Sequence, residues 1–476
     1  MRRTKIIATL GPATDDPKVL ADVINAGVDV VRINFSHGSS AEYKRRVEMV
    51  RKIAAESGKY IGILGDLQGP KIRIRRFKKS PVILQEGQEF VLDCAMAADA
   101  GTNKAVGVAY ERLSADVSPG DRLLLDDGQL TLAVERVDGG RIICQVVMGG
   151  ELGDNKGINR QGGGLAAPTL AEKDREDIVR AAEYGLDWLA VSFVRDASDI
   201  DEVRERLRTA GSDAHLVAKI ERAEALENLE AIIDAADAVM VARGDLAVEV
   251  GYASLTGLQK RIIKLARIQH KVAITATQMM ESMVHSQLPT RAEVSDVANA
   301  VMDGTDAVML SAETAVGNYP VQTVAAMAEV CSGAETYPLV SGRTSRRLED
   351  RFQFVDEAIA MAVMYTANHM DVHAIIALTE SGSTALWMSR VRSDIPIYAI
   401  TRHEITLRRV ALYRGVYPIY FDVVHADAQK MYGEIFGKLR EQDLIDEGEL
   451  VIFTRGDLTG VSGGTNTMKI LRVTGQ

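Results

Sequence analysis

At 476 residues the chain is longer than one hydrophobic core usually serves, so two or three domains are expected. Its 46% apolar and 26% charged residues exclude a disordered, collagenous or repeat protein. A net charge of −10 disfavours nucleic acid and acidic membranes as partners, and leaves small anionic substrates that need only a few placed cations.

The opening Met1-Arg2-Arg3 reaches a break at Gly11-Pro12 without a long apolar stretch, so neither a signal peptide nor a twin-arginine leader is expected. No run has the length and apolarity of a membrane-spanning helix. Cys94, Cys144 and Cys331 are odd in number and far apart, which fits neither a disulfide framework nor a zinc site. A reducing, cytoplasmic setting follows.

Eight short β-rich runs, each followed by a helical pattern, begin at Lys5, Asp29, Ile61, Asp187, Leu216, Ala238, Val272 and Ala307. Most are continuously apolar, as expected of strands covered on both faces. Their start-to-start intervals are 24, 32, 126, 29, 22, 34 and 35 residues. Six suit one βα unit, so the series predicts an α/β fold, a (β/α)8 or TIM barrel interrupted after its third strand. Between strands, helical segments stop at Gly58 and Gly211, in keeping with glycine C-caps.

The interruption, 67–159, changes character: PVILQEGQEFVLDC, DRLLLDDGQLTLAVERV and RIICQVV are short strands joined by Asp-Gly and Gly-Gly turns. It predicts a small β-barrel domain over the barrel mouth, able to act as a lid. The TIM barrel then takes 1–66 and 160–340. A polar linker, SGRTSRRLEDRF, precedes a third domain, 341–476, whose alternating helices and strands predict an open α/β sheet.

Residues at strand C-termini converge in such a barrel, and nearly every strand here ends in polar residues. The endings are Arg32, Asn34 and Ser36; Asp66; Ser192; Lys219 and Glu221; Arg243 and Asp245; Thr277 and Gln278; Ser311 and Glu313. Glu221 and Asp245, two oxygen anions from adjacent strands, would leave most of an octahedral shell to substrate and water, a Mg²⁺ pattern. Capping or ion pairing is the plainer role for each. Lys219, two residues before Glu221, points to the same side and needs an anionic partner, which a phosphoryl group or an enolate oxygen would supply. Arg32 has a fork suited to phosphate. Thr277 could relay a proton or simply bond the core. Lys71, Arg73 and Lys156 lie near the two ends of the insertion and would carry positive charge to the site. No Walker A, GxGxxG, HExxH or CxxC pattern is present, so phosphate chemistry must rest on scattered cations and metal.

The motifs RINFSHG from Arg32, GPKIR from Gly69, KGIN from Lys156, AVSF from Ala190, AKIE from Ala218, MVARGDL from Met240, ITATQMMESM from Ile274 and PTRAEVSDVANAVMDGTDAVMLSAETA from Pro289 resemble those of pyruvate kinases, in that family's order. The resemblance covers essentially the whole chain. It implies a homotetramer of three-domain subunits that moves the phosphoryl group of phosphoenolpyruvate to ADP, giving pyruvate and ATP. Glu221 and Asp245 are then similar to the Mg²⁺ (or Mn²⁺) ligands, Lys219 to the lysine that neutralises the phosphoryl group in flight, and Arg32 to the phosphate-clamping arginine. Ala242, Gly244, Asp245, Thr277 and Ser192 resemble substrate contacts. Thr277 and Ser311 resemble residues holding the waters that protonate enolpyruvate, and Arg73 and Lys156 nucleotide-phosphate contacts. Asn34, Ser36, Asp66 and Leu67 resemble the monovalent-cation site.

Three positions depart from the family pattern. Lys71 stands where potassium-requiring members carry glutamate, and Leu67 replaces a threonine, so K⁺ is expected to be dispensable. Ala247 replaces the glycine common after GDL. In the C-terminal domain Thr379, Ser381, Gly382, Ser383 and Thr384 form a Ser/Thr/Gly loop opening a helix, an anion site in physical terms. In the family the matching loop binds an activating sugar phosphate or nucleotide such as AMP, with selecting contacts in loops such as the one near Ser462. The competing readings are a Mg²⁺-dependent phosphoenolpyruvate or pyruvate lyase or mutase, and a non-catalytic phosphometabolite sensor.

Overall fold

The computed structural model describes residues 1–166, 168–337, 352, 354–422, 428–456 and 463–474. Each of the eight runs forms a strand: Lys5–Thr9, Val30–Asn34, Gly62–Asp66, Trp188–Val191, His215–Ile220, Ala238–Ala242, Val272–Ala276 and Ala307–Leu310. They close into a parallel barrel whose spatial order follows the chain, the first strand pairing with both the second and the eighth. Helices and barrel interior cover the strands from both sides, so most are buried throughout. The second and fifth break that rule at Arg32, Asn34, His215 and Lys219. Helices 40–56 and 197–209 end at Ser57 and Ala210, each followed by a glycine, Gly58 and Gly211, at φ +65° and +80°. That left-handed turn is the one a glycine makes without steric cost.

The chain divides into two compact units: Met1–Gly65 with Tyr184–Trp188 and Ala266–Gln476, and Asp66–Glu183 with Leu189–Leu265. In the second, a six-stranded sheet runs in the order Ile158–Arg160, Arg122–Leu125, Leu130–Asp138, Arg141–Met148, Glu89–Asp93, Ala105–Gly107. Asp126 and Asp127, at φ 51° and 52°, make the tight turn between Arg122–Leu125 and Leu130–Asp138. Gly139-Gly140 turns the next hairpin, with Asp138 facing Arg141. Residues 72–75 then stitch the two sheet edges together. Ile158 N–H donates to Ile72 O and Ile74 N–H to Lys156 O on one side, while Ala109 N–H donates to Arg73 O and Arg75 N–H to Gly107 O on the other. The result is the small barrel expected of the insertion, filled by Phe90, Leu92, Leu123, Leu132 and Ile142.

In the first unit the C-terminal sheet has the order Val416–Tyr420, Ile397–Thr401, Ala374–Leu378, Leu450–Gly456, Thr465–Arg472, with only the last strand antiparallel. Pro418 cannot donate to a ladder and sits on the edge strand, where no donation is needed. Two ion pairs, the first fully buried and the second partly so, fasten helices of this sheet to residues that precede barrel strands. Arg390, after helix 383–389, grips Asp306 with both Nη atoms at 2.6 and 2.7 Å, and Arg408, on helix 404–410, places Nε 2.8 Å from Asp187. The first is the two-pronged geometry that fixes orientation as well as adding attraction. The expected linker, apart from Phe352, and the loop at Ser462 lie outside the described residues. Among the described residues no helix is long and apolar enough to cross a membrane.

Candidate active site

Strand alternation turns Lys219 and Glu221 the same way, and the structure places Lys219 Nζ 2.9 Å from Glu221 Oε1. Asp66, the last residue of the third strand, lies 3.2 Å from the same ammonium, and Ser192 Oγ accepts from it at 2.7 Å. Ser192 in turn donates to Leu67 O, while Leu67 N–H donates to Ala190 O, so residues after two different strands are tied together. The side chains of Asp66 and Glu221 are 1% and 3% exposed. Burial raises the pKa of Glu221; Lys219 opposes the shift, while Asp245 and Asp66 add like charge to it. A positive charge is thus the element that makes this carboxylate cluster stable when ionised.

Glu221 Oε2 accepts the Phe193 N–H at 2.8 Å, and Phe193 has φ 56°, an unfavourable value for a bulky residue. Strain of that kind costs about 1–3 kcal/mol and persists where surroundings enforce it. Gly69 is part of that enforcement. Its φ is +66°, and a Cβ there would lie 2.8 Å from both Ser192 Cβ and Phe193 Cδ2. Gly69→Ala should therefore destabilise the protein by roughly 1–3 kcal/mol and cut kcat about 10- to 100-fold, because it pushes Ser192 off Lys219. Thermal denaturation alongside steady-state kinetics checks this; an unchanged kcat would contradict it.

Asp245 stands just after the sixth barrel strand, Ala238–Ala242. Arg243–Val250 is a helix with Ala242 at its N-cap, so Asp245 stands in the first turn, where an acidic group suits the helix dipole. Lys71 Nζ lies 2.9 Å from Asp245 Oδ1 and 3.1 Å from Asp127 Oδ1. Burial works against the Lys71 charge, but the two aspartates outweigh it and its pKa is raised. Lys156 Nζ pairs with Asp126 at 2.8 Å, and Arg73 donates to Asn155 O at 2.9 Å. The Asp126-Asp127 turn thus orders both lysines, a role the sequence reading did not assign it.

The first unit holds the remaining candidates. Arg32 Nη1 donates to Thr9 Oγ1 at 3.0 Å, and Asn34 Oδ1 accepts Ser36 N–H at 3.0 Å. Thr277 and Gln278 have φ 69° and 54°, and Thr277 Oγ1 donates to Ala276 O. Left-handed backbone at a β-branched residue marks stored strain. Ser311 N–H donates to Glu313 Oε2 at 2.6 Å and Met280 N–H to Glu313 Oε1 at 3.1 Å, so one fully buried carboxylate couples the turns after the last two barrel strands. In the loop 379–384, Gly382 N–H donates to Thr379 Oγ1, and Ser381 Oγ donates to Ser383 Oγ. The Thr384 hydroxyl is buried against Thr465 Oγ1 at 2.6 Å.

The family model described as "Pyruvate kinase, barrel domain" matches residues 1–324, and "Pyruvate kinase, alpha/beta domain" matches 357–471. The chain is 54% identical over 477 residues to "Pyruvate kinase II" of Salmonella typhimurium, covering 99% of each. It is 51% identical over 478 residues to a pyruvate kinase of Buchnera aphidicola, covering 100% of this chain and 99% of that one. A crystal structure of a pyruvate kinase from Cryptosporidium parvum superposes with a TM-score of 0.92 at 33% identity, covering 99% of this chain and 96% of the other.

The chain belongs to the pyruvate kinase family. Membership makes it a phosphotransferase, and the closed barrel, small β domain and C-terminal α/β sheet are those the family resemblance implied.

Pyruvate kinases use Mg²⁺, and the side chains here fit a hard divalent cation. Glu221 and Asp245 offer carboxylate oxygens, each neutralised in this structure by an ammonium, Lys219 and Lys71. Among the described residues no three His, Cys, Asp or Glu side chains form a cage, so an ion held by this pair would draw most of its ligands from substrate and water. Residues that sequence reading left without a role are Thr9, Gly69, Phe193, Asp127 and Glu313. Gly69 and Asp127 carried local signals, since Gly-Pro after a strand and Asp-Gly between strands both mark turns.

Proposed function

We propose that this chain transfers the phosphoryl group of phosphoenolpyruvate to ADP, yielding pyruvate and ATP, and that it depends on Mg²⁺ or Mn²⁺ held by Glu221 and Asp245. The observation that supports this best is the Lys219 ammonium, held by Glu221, Asp66 and Ser192 in a largely buried position. In-line transfer needs placement and charge neutralisation rather than a protein nucleophile. Lys219 neutralises the phosphoryl group as it leaves the enol oxygen, then the enolate that remains. Arg32 grips the phosphate, Arg73 and Lys156 the nucleotide phosphates. The N–H groups at the start of helix 243–250 suit the substrate carboxylate, at Ala242 and Gly244. Thr277 and Ser311 hold the water that gives a proton to the enolate carbon. A metal held by Glu221 and Asp245 would supply positive charge that offsets the substrate's anionic charge.

Coupled assays test this reading: pyruvate should appear from phosphoenolpyruvate only with ADP and Mg²⁺ present. Pyruvate or phosphonate chemistry without ADP would favour a lyase or mutase instead, and no turnover a sensor. The further parts of the proposal are a cytoplasmic homotetramer, domains at 1–66 with 160–340, 67–159 and 341–476, no requirement for K⁺, and activation by a phosphomonoester at 379–384. Ser381→Ala with Ser383→Ala should raise the half-activating concentration of a sugar phosphate or AMP at least about 100-fold, since two hydroxyl bonds to an anion are lost, each about 1.5–3 kcal/mol. Unactivated kcat should stay the same. Retained activation would contradict the assignment.

A further inference from the structure

Four arginines meet where the C-terminal sheet's helices reach the residues that precede the last barrel strand. Arg267, Arg390, Arg392 and Arg414 line a small cavity whose wall holds one carboxylate, Asp306. Arg390 grips Asp306 with both Nη atoms, and Arg392 Nη2 donates to Met302 O at 2.8 Å. Arg414 is only 8% exposed, and its Nε is buried with no hydrogen-bond partner. An orphan donor on a charged, buried group is costly, and native proteins seldom leave one unless a water or ion takes it.

The floor of the cavity is kept open by Gly304. Its φ is +96°, and a Cβ there would sit 3.0 Å from both Arg267 Nη1 and Arg392 Nη2. The cavity is small, with room for one water or one monatomic ion. The surrounding charges leave the wall positive. Glu335 and Asp306 act on Arg414 from the acidic side, Arg3 and Arg392 from the basic side, and Asp303 acts on Arg392. Burial lowers the Arg414 pKa, a penalty that a buried counter-ion would relieve.

We infer that this cavity is a binding site for a single monatomic anion, chloride in the cell, held by Arg414 and its neighbouring guanidiniums between the C-terminal sheet and the barrel. The anion completes the wall that Arg390 and Asp306 begin, so it stabilises the fold rather than entering the reaction.

Bromide is the probe. Crystals of the full enzyme soaked in sodium bromide should show one ordered anomalous peak in the cavity, hydrogen-bonded to Arg414; an empty cavity would overturn the inference. In solution, replacing gluconate by chloride at constant ionic strength should raise Tm by about 1–3 °C and saturate. Arg414→Met, close in volume and uncharged, should abolish that dependence. An equal rise in both proteins would be a general salt effect and would also overturn it, as would saturable stabilisation by phosphate but not by chloride. Should Arg414→Met fail to fold, the bromide peak in the unaltered enzyme decides alone.

Discussion

Lys219→Met should fold normally yet turn over at least about 10³-fold more slowly, measured as ADP-dependent pyruvate formation at saturating Mg²⁺. The size follows from the setting. A buried donor aimed at charge that develops in the transition state acts in a low-dielectric place, where it is worth far more than in water. Methionine keeps the length of the side chain but leaves Asp66 and Glu221, 1% and 3% exposed, facing each other without the ammonium between them. The Glu221 carboxyl, already raised by burial, should rise further and bind a proton more readily. The variant should therefore lose kcat and also need more metal as pH falls, because proton and metal compete for one carboxylate. Turnover within tenfold of the unaltered enzyme would remove Lys219 from the chemistry.

Potassium gives the second large effect. The unaltered enzyme should run at nearly the same rate with Na⁺ or K⁺ as the only monovalent cation. Lys71→Glu should fall at least about 10-fold in the absence of K⁺ and recover most of its rate when K⁺ is added. Lys71 lies between Asp245 and Asp127, and replacing it by a carboxylate brings a third anion beside the pair. Some cation must then enter to offset the added negative charge. Strong K⁺ activation of the unaltered enzyme, or indifference to K⁺ in the variant, would contradict the account.

Much of this was open to reading in the chain. Continuous apolar runs at nearly even intervals specify strands buried on both faces, and eight of them close. The pair Lys219 and Glu221 was legible because their spacing of two residues matches the strand repeat. Other features were not, and each for a physical reason. Asp66 reaches Lys219 across the long insertion, brought near it and Ser192 only because the third, fourth and fifth strands lie side by side in the barrel. Residues 72–75 complete the small barrel through backbone hydrogen bonds to both sheet edges, with Ile72 and Ile74 in its core, and so short an alternating run does not show which edges it joins. Arg243 and Asp245 looked like polar strand ends, whereas the structure puts both in the first turn of a helix that follows the strand directly. Glu313 looked like one more polar strand end, and only its two backbone partners reveal that it joins two turns.

The convergence of Lys219, Glu221 and Asp245 on one metal and one phosphoryl group can be tested by crystallising the enzyme with Mn²⁺ and pyruvate and collecting data at the manganese edge. The account predicts a single peak about 2.1 Å from carboxylate oxygens of both Glu221 and Asp245, with Lys219 facing the same ligand. A peak bound elsewhere, or held by only one of those two carboxylates, would contradict it.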